Sequence, residues 1–399
     1  MIQLQSIVVK NFKNVYLAEL ELSPLNVIVG PNGSGKSNLL LITSFLKFII
    51  RGSTDSVEKF FDGDYNLRFS DLFSEKANDC QISLDFRNTE SDMIYHYLIE
   101  LSATSRSRRK FVISREEFTL KQRSNTGPWA SIFTRNGKDL HFHSAIKKII
   151  PLVQLADHNS GLRPLTLFQE SIDSKFRDAI LALNRVLDTQ TFYLSPHGMK
   201  SVMANQGAFF DGRLASYDLE AEIIELYETD QWAPFINAIR TIVNLDDIEV
   251  QSYQNKDGKE HSFVNFLSFG KTDLLHELSD GMVLMIGLIL KVVTFNECII
   301  FLEEPENSIH PRALQNFMYF VRQNSAIKQF IITSHSSALL NLVDPSEVFV
   351  SHIDSRGLST ISAVQNAKEL RTKLNKGFIS FGDLLFEDLA EGRDFEDAF

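Results

Sequence analysis

The chain has 399 residues, 44% of them hydrophobic, and carries a formal net charge of −11 at pH 7. This length allows two or more lobes, and the apolar content is ample for a sizeable core, so we expect a globular protein. The acidic balance excludes wholesale coating by nucleic acid, and any polyanion would have to bind a local basic patch.

Cysteine usage and the start of the chain indicate the compartment. The chain has two cysteines, Cys80 and Cys298, without metal-type spacing, and the apolar strand around Cys298 predicts a reduced, buried thiol. Residues 1–10 lack a signal-peptide layout, and the longest apolar run, residues 282–290, is far shorter than a membrane span of roughly 20 residues. The sequence therefore predicts a soluble, cytoplasmic protein without a membrane segment.

The first residues predict a strand pair that leads to a third, buried strand. Apolar residues nearly alternate in 2–10 and again in 16–22, which indicates two strands joined by residues 11–14. Lys13 in this connection either approaches bound phosphates or is simply solvated, and both interpretations stay open. The mostly apolar run 25–29 then predicts a buried strand.

A phosphate-binding loop follows that strand. Gly30-x-x-x-x-Gly35-Lys36-Ser37 fits the P-loop pattern and precedes an apolar helix that starts near Asn38. Its glycines let backbone N–H groups turn inward and form a nest for phosphate oxygens at a helix N-terminus. Lys36 is placed to reach the β- and γ-phosphates and Ser37 to hold Mg²⁺, so ATP and Mg²⁺ are the predicted cofactors. The predicted nucleotide-binding residues here are Asn32, Gly33, Ser34, Gly35, Lys36, Ser37 and Asn38.

A set of antiparallel strands and a basic run come next. Apolar residues return to period two between residues 80 and 121. The basic run between two of these strands is either a solvated hairpin tip or a contact to a nucleic-acid backbone, made by Arg106, Arg108, Arg109 and Lys110. His141 and His143, two apart in a polar stretch, do not alone make a metal site.

The middle of the chain changes to helical periodicity. Amphipathic runs predict three helices, at residues 176–187, 217–227 and 232–243. Residues 191–195 predict a short strand, and the polar segment 197–213 predicts a mobile loop. No heptad pattern is sustained, which argues against a long coiled coil. Asp257-Gly258 then marks a β-hairpin that returns the chain to the core.

Polar side chains at the ends of two later strands complete the predicted site. The strand 298–302 ends in Glu303 and Glu304, and a further apolar strand ends in His335. Ligands of parallel α/β sheets bind at this carboxyl edge. One carboxylate can orient Mg²⁺ and its waters, and the next can take a proton from attacking water. His335 is either a γ-phosphate contact or a structural hydrogen-bonder.

These features, in this order, resemble a known family. The P-loop, Leu278-Ser279-Asp280-Gly281 at the cap of an apolar helix, the acidic strand end and His335 resemble the ABC-type ATPase heads of the RecF, SMC and OLD group. Asn11-Phe12-Lys13 and residues 304–311 also resemble its compact AAA-21 members. The resemblance implies an α/β fold, an ABC-type P-loop NTPase core with a mixed sheet, flanking helices, an antiparallel β-subdomain and an inserted helical lobe. The parts expected are a first core part, a helical lobe, a second core part and a C-terminal extension, at residues 1–140, 141–247, 248–360 and 361–399.

The resemblance also implies roles for single residues. Lys36 and Ser37 would bind phosphate and Mg²⁺, and Glu303 would be the Walker B carboxylate. Glu304 would be the catalytic base and His335 the switch histidine. Ser279 and Gly281 would contact the γ-phosphate on the opposite subunit, because ABC heads sandwich two nucleotides between two protomers. A homodimer or a higher even-numbered oligomer is therefore expected. Glu303 stands where many relatives have Asp, which implies slow turnover. The glutamine loop stays open between Gln81 and residues 69–73.

The residues after the ATPase head bear on whether this chain contains its own effector domain. OLD-type nucleases carry a Toprim domain after the ATPase head, whereas residues 343–399 are fewer than the roughly 100 of an ordinary small domain. Residues 381–399 mix leucine and phenylalanine with many acidic residues, and form either a frayed terminus or a docking element for another protein. We therefore expect the effector to be a separate chain.

The predicted function is that of a Mg²⁺-dependent ATPase whose ATP-driven dimerisation acts as a sensor or scaffold for a separate effector. By family analogy the effector is of nuclease or Toprim type, and the setting is bacterial anti-phage defence or DNA maintenance. The alternative is a self-sufficient RecF-like DNA repair or clamp ATPase that uses the basic run, with weak binding of nucleic acid. A second alternative is an ATP-binding structural assembly protein with negligible hydrolysis, to which Glu303 in place of Asp would point.

Overall fold

A long mixed sheet runs through the part of the chain that this computed structural model describes, which is residues 1–51, 72–74, 77–105, 110–124, 126–150, 155–192, 199–200, 208–210, 213–216, 218–254, 260–375 and 380–382. Its strands are β1 (Ile2–Phe12), β2 (Val15–Glu21), β3 (Leu25–Val29), β4 (Asp79–Asn88), β5 (Met93–Ser105), β6 (Lys110–Gln122), β7 (Ala130–Asn136), β8 (Asp139–Phe142), β9 (Gln190–Phe192), β10 (Ala208–Phe210), β11 (Arg213–Ser216), β15 (Ile299–Glu303), β16 (Gln329–Ser334), β17 (Val348–Ile353) and β18 (Ser359–Ala363). A second sheet holds β12 (Asp247–Gln254), β13 (Glu260–Ser268) and β14 (Lys271–Asp273).

The helices cover both faces of the main sheet. They are α1 (Lys36–Arg51), α2 (Ser144–Lys147), α3 (Leu162–Leu167), α4 (Ser174–Leu187), α5 (Leu219–Tyr227), α6 (Trp232–Ile242), α7 (Asp280–Thr294), α8 (Pro311–Asn324), α9 (Ser337–Leu340) and α10 (Ala367–Asn375). In the described residues, no helix combines the length and the apolar character that crossing a bilayer requires.

The strand order of the main sheet is β10-β11-β9-β15-β16-β3-β17-β18-β2-β1-β4-β5-β6-β7-β8. The strands from β9 to β17 in this order are parallel, whereas β2, β1 and β4 to β8 pair in antiparallel fashion. The predicted α/β class with a mixed sheet is therefore confirmed, and so is the predicted pairing of the first two strands.

Register brings the ends of three parallel strands to one level. Val29 of β3 lies opposite Ser334 of β16, and Thr333 lies opposite Glu303 of β15. The residues that follow these strands therefore leave from the same carboxyl edge, where ligands of parallel sheets bind.

Burial on both faces explains the apolar sequence of these strands. Successive residues of β15 alternate between two cores: Ile299 and Phe301 pack on the side of α1 and α4, and Ile300 and Leu302 pack on the side of α7 and α8. A parallel strand covered on both faces needs apolar residues at every position, so its sequence shows a continuous run and not an alternation.

The helices predicted as one inserted lobe divide between these two cores. α2, α3 and α4 share a core with α1 and the antiparallel strands, whereas α5 and α6 share the other core with α7 and α8. The boundaries given above for the four parts of the chain stay a prediction.

Several local expectations need correction. Residues 197–213, predicted as a mobile loop, include β10 and two helical residues, because a run as short as Ala208–Phe210 carries no readable period. β12 and β13 form the expected hairpin arms but join β14 in a separate sheet, and Asp257-Gly258 lies outside the described residues. β7 and β8 were not predicted. Cys298 precedes its strand and is only half-buried, whereas Cys80 is buried.

Candidate functional site

The predicted P-loop connects the end of β3 to the start of α1 through residues 30–35. A Cβ added at Gly30 would lie 2.5 Å from the backbone oxygen of Ser351 in β17, so only glycine fits this close approach. Gly35 has φ +85°, in the left-handed region, and leads directly into the helix at Lys36. The helix N-terminus therefore faces the loop, as an anion-binding nest requires.

Side chains from three other segments hold the loop's carbonyl groups. Asn14 Nδ2 donates to Gly33 O at 2.7 Å, and the hydroxyls of Ser351 and Ser359 both donate to Ser34 O. Because the peptide bond is trans, tying the carbonyl of Ser34 towards β17 and β18 turns the N–H of the next residue to the opposite side. Sequence reasoning missed these three residues, since the two serines lie more than 300 positions from the loop.

We expect the double variant Ser351→Ala, Ser359→Ala to bind ATP about tenfold more weakly, because a buried carbonyl that loses its donors costs about 1–3 kcal/mol and releases the orientation of the loop. Titration with a fluorescent ATP analogue measures the affinity. Ser362→Ala, on an exposed position of β18, is the matched control and should bind as the wild type does. Unchanged affinity in the double variant would show that the serine pair does not orient the loop.

Lys36 lies inside the loop that it is predicted to serve. Its side chain is 5% exposed, and Nζ donates to Gly30 O at 2.7 Å and to Pro31 O at 2.9 Å. Burial lowers the pKa of Lys36, and the nearby carboxylates of Glu304, Glu303 and Glu306 oppose that shift. The ammonium group is therefore held between the loop carbonyls and the acidic end of β15.

The two predicted Mg²⁺ ligands meet across the sheet edge. Ser37, in the first turn of α1, donates its hydroxyl hydrogen bond to Glu303 Oε1 at the end of β15. Glu303 is buried, with 7% of its surface exposed. A hydroxyl and a carboxylate are the hard oxygen donors that Mg²⁺ prefers, and they stand next to the loop that would hold the phosphates. The residues present therefore fit the predicted ion.

Glu304 and His335 also come together. Glu304 Oε1 lies 3.4 Å from His335 Nδ1, and Asn307 Nδ2 donates to Glu304 Oε2 at 3.0 Å. Glu304 has φ +46°, a left-handed conformation that costs a non-glycine residue about 1–3 kcal/mol and that occurs preferentially at functional sites. The sequence predicted that Glu304 and His335 lie close together, because each follows a strand at the same edge of the sheet. It did not predict the hydrogen bond from Asn307 to Glu304.

A buried carboxylate fixes the turn that carries His335. Glu306 Oε1 accepts from Ser334 Oγ at 2.5 Å and from the backbone N–H of His335 at 3.2 Å. Burial raises the pKa of Glu306, and these hydrogen bonds oppose the shift. Glu306 thus positions the histidine without lying in the predicted catalytic pair.

The signature segment lies at the start of α7. Ser279 is the N-cap and accepts from the backbone N–H of Met282 at 3.3 Å. A Cβ on Gly281 would come within 2.6 Å of Ser308 O, so the helix start packs against the loop that follows the acidic strand end. Within the described residues no hydrogen bond joins residues 279–281 to residues 30–38. The segment is exposed at Ser279 and Asp280.

Other predicted residues are placed as follows. Asn32 is exposed, and Asn38 Nδ2 donates to Asn14 Oδ1 at 2.6 Å. Lys13 has φ +54°, and its backbone N–H donates to Leu72 O at 2.9 Å. Gln81 lies within β4. Outside the described residues lie Arg106, Arg108, Arg109, residues 69–71 and the tail 383–399; Lys110 is the first residue of β6.

The family model AAA_21, described as "AAA domain, putative AbiEii toxin, Type IV TA system", matches residues 25–341. A comparison with curated proteins found no significant match.

Solved structures that resemble this chain include heads of SMC proteins. An SMC head bound to the C-winged-helix domain of ScpA has a TM-score of 0.53 at 12% identity and covers 92% of this chain and 99% of its own. The SMC head domain from Thermotoga maritima has 0.46 at 15%, covering 91% and 99%. The Smc head domain with an extended coiled coil from Pyrococcus furiosus, bound to the C-terminal domain of ScpA, has 0.48 at 13%, covering 94% and 100%. The first of these likenesses confirms the predicted ABC-type head fold.

Proposed function

This chain belongs to the AAA_21 family and has the fold of an SMC head, and from these premises we propose that it is a Mg²⁺-dependent ATPase whose ATP-driven pairing acts as a switch on a separate effector protein. The proposed setting is bacterial anti-phage defence or DNA maintenance. The family's description, which mentions type IV toxin–antitoxin systems, supports a defence or maintenance role.

The residues at the sheet edge support the hydrolytic part of the proposal. Mg²⁺ with ATP, when bound, supplies the γ-phosphoryl group to be transferred and neutralises its charge. Lys36 would bind the phosphates, and Ser37 with Glu303 would hold the metal. Glu304 would accept the proton of the attacking water, with its carboxylate oriented by His335 on one oxygen and by the side chain of Asn307 on the other.

The observation that carries the switch is the position of the signature at a helix N-terminus, where Ser279 and Asp280 are exposed. Ser279 and Gly281 lie at the start of α7, and no hydrogen bond in the described residues connects them to their own P-loop. The family resemblance implies that this helix N-terminus caps phosphate oxygens of a nucleotide held by a second protomer. Two copies facing each other would close two such sites at once, which a self-complementary two-fold interface allows.

A separate effector is the second half of the proposal. One solved SMC head of this fold was crystallised with a domain of another protein, ScpA. Closing a two-protomer site changes the relative positions of surfaces on the two copies, and a partner that prefers one state is held or released by its differential affinity. The acidic, leucine- and phenylalanine-bearing tail 381–399 is a proposed dock.

We expect the tagged chain, purified from its native host, to retain a second protein in one of three states, which are nucleotide-free, ADP-bound and ATP-trapped. Quantitative mass spectrometry across these states measures the retention. Deleting residues 387–399 should leave ATPase activity intact and release the partner if the tail is the dock. A full chain with no partner in any state would contradict the effector proposal and favour the DNA-clamp alternative.

The DNA-clamp alternative depends on the basic run between β5 and β6. These strands pair with each other from Met93 and Gln122 up to Ser105 and Lys110. Neutralising Arg106, Arg108, Arg109 and Lys110 should flatten the dependence of DNA affinity on salt, by about one unit of slope for each lost phosphate contact. Fluorescence anisotropy with a random duplex at several salt concentrations measures the slope. An unchanged slope would leave the run as a solvated hairpin tip.

A further inference from the structure

One strand of the second sheet has an open edge. β12 pairs with β13 on one side, and no strand in the described residues pairs with its other side. The backbone of a strand edge presents N–H and C=O groups that another extended chain can bind. The register of β12 and β13 determines which residues of β12 turn their N–H and C=O groups outward.

Two contacts in the ladder between β12 and β13 show which residues of β12 face outward. Val264, opposite Val250, donates its backbone N–H to Glu220 Oε1 at 2.8 Å and so not to β12. Ser252 Oγ and Ser262 Oγ lie 2.8 Å apart, as in the non-hydrogen-bonded pairs, whose side chains are closest. In such pairs both residues turn their N–H and C=O away from each other. Val250 and Ser252 therefore present their backbone groups to the open edge of β12.

Ile248, two positions before Val250, also turns its backbone groups to the open edge, as the alternation along a strand requires. Ile248 turns its N–H to the open edge, where Asp247 Oδ1 accepts from it at 2.9 Å. The side chain of Asp247 thus already occupies the first edge position. Free pairing positions begin at Val250 and continue towards the end of the strand.

A groove runs beside this edge. Its cavity has a volume of about 540 Å³ and is lined by five successive residues of β12, 247–251, together with the end of α5 and one side of α6. Successive side chains of a strand point to opposite faces, so the lining includes residues that belong to both faces of β12. This volume lies within the range of binding sites for compact ligands, about 300–1,000 Å³.

The walls of the groove have a definite chemistry. Tyr227 and Trp232 form an edge-to-face pair with ring centroids 5.0 Å apart, and Ile236 lies one turn further along α6. Arg240 is held by Asp247 at 2.9 Å, so its charge is matched. Glu249 accepts only from the neutral Gln251 in the described lining, at 3.2 Å, which leaves the groove with a net negative charge.

We propose that this groove binds an extended segment of the effector protein, which adds to β12 as a further strand. Alternate side chains of that segment are apolar and pack against Trp232 and Ile236, and those between them are lysine or arginine beside Glu249. The occupant is thus a basic, alternating strand, since apolar anchors fit the aromatic wall and cations match the unneutralised carboxylate. The inference rests on the proposed function only in naming the effector as the source of the segment.

The test uses a fluorescein-labelled hexapeptide in which lysine alternates with valine or phenylalanine, added to the full chain without nucleotide. Fluorescence anisotropy should show saturable binding. Two derivatives carry N-methyl groups on alternate amides, in opposite registers. The derivative whose methyl groups face β12 should bind about tenfold or more weakly than the parent, and the other should bind as the parent does, because only one set of amides can pair with an edge. Equal binding of the two derivatives would overturn strand addition.

Protein variants test the same site from the other side. Val250→Pro removes an N–H that points to the open edge and leaves the bonds between β12 and β13 in place. Asn237→Trp fills the groove, and Thr241→Trp, exposed one turn further along α6 and outside the lining, is its matched control. Val250→Pro and Asn237→Trp should each weaken peptide binding about tenfold or more, and Thr241→Trp should leave it unchanged.

ATPase activity and circular dichroism establish that each variant is folded. Wild-type peptide affinity in both Val250→Pro and Asn237→Trp would overturn the groove assignment. Peptide binding by a chain that retains no nucleotide-dependent partner would support the groove and contradict the effector proposal. A partner retained by both variants would support the effector proposal and contradict the groove as its dock.

Discussion

Glu304→Gln is expected to lower the rate of ATP hydrolysis by about 10²–10⁴-fold and to leave ATP affinity within about a factor of two of the wild type. Glutamine preserves the size of the side chain but cannot accept a proton. Phosphate release at saturating Mg²⁺ and ATP measures the rate, and titration with a fluorescent ATP analogue measures the affinity. Glu297→Gln, two residues before the amino end of β15, is the matched control and should hydrolyse ATP normally.

The surroundings of Glu304 explain why one amide substitution should have this effect. Its carboxylate lies 3.4 Å from His335 and accepts from Asn307, while Glu303 separately accepts from Ser37. The two adjacent carboxylates thus have different partners, one suited to proton transfer and the other to the metal. The variant retains Glu303, the residue with the proposed metal role.

The same variant tests the two-protomer site. ATP that is bound but not hydrolysed should hold two copies together, so sedimentation velocity should show Glu304→Gln as a dimer with Mg²⁺ and ATP and as a monomer without them. Adding Ser279→Arg should prevent the dimer, because a long cation at the cap of α7 would occupy the place of the partner's phosphate contact. A monomer in the presence of ATP, or unaltered ATPase in Ser279→Arg alone, would contradict the sandwich.

The parts of the site that could be predicted from the sequence are those that local patterns encode. Gly30 to Ser37 contain the loop, its lysine and its hydroxyl in eight successive positions, and Glu303, Glu304 and His335 each directly end or follow an apolar run. These separate segments can be placed together because ligands of parallel sheets bind at the carboxyl ends of the strands. This placement requires the strands to be parallel neighbours, and β15, β16 and β3 are parallel neighbours in the structure.

The remaining features depend on contacts across long sequence separations. Ser351 and Ser359 hold the P-loop only because β17 and β18 lie beside it, and a serine within a strand carries no local signal of such a bond. The open edge of β12 likewise depends on the whole topology, because no strand among the described residues pairs with that side of β12. A hairpin pattern predicts that two strands pair, but it does not predict which sheet they join, so the separate sheet of β12, β13 and β14 could not be predicted.

Lys36→Met is expected to remove ATP binding, with affinity lowered by about 100-fold or more, because hydrogen bonds to a charged group are worth about 1.5–3 kcal/mol each and the lysine is placed to make more than one with phosphate oxygens. Methionine keeps the length of the apolar stem, so the loop loses the charge and not the packing. The buried ammonium already costs free energy in the free protein, since burial lowers the pKa of Lys36.

Thermal unfolding separates loss of binding from loss of fold. The melting temperature of Lys36→Met without nucleotide should be no more than slightly below that of the wild type, because the variant removes a desolvated charge together with its two bonds to Gly30 O and Pro31 O. The rise in melting temperature on adding Mg²⁺ and ATP should disappear, because a ligand stabilises the native state by about 4.1 kcal/mol at a thousand times its Kd and by almost nothing far below it. Lys328→Met is the matched control and should retain the rise, because Lys328 is a half-buried lysine that is likewise bonded to backbone carbonyls but lies before the amino end of β16, whereas the loop lies at the carboxyl edge of the sheet. A full ATP-dependent rise in Lys36→Met would show that the nucleotide binds elsewhere.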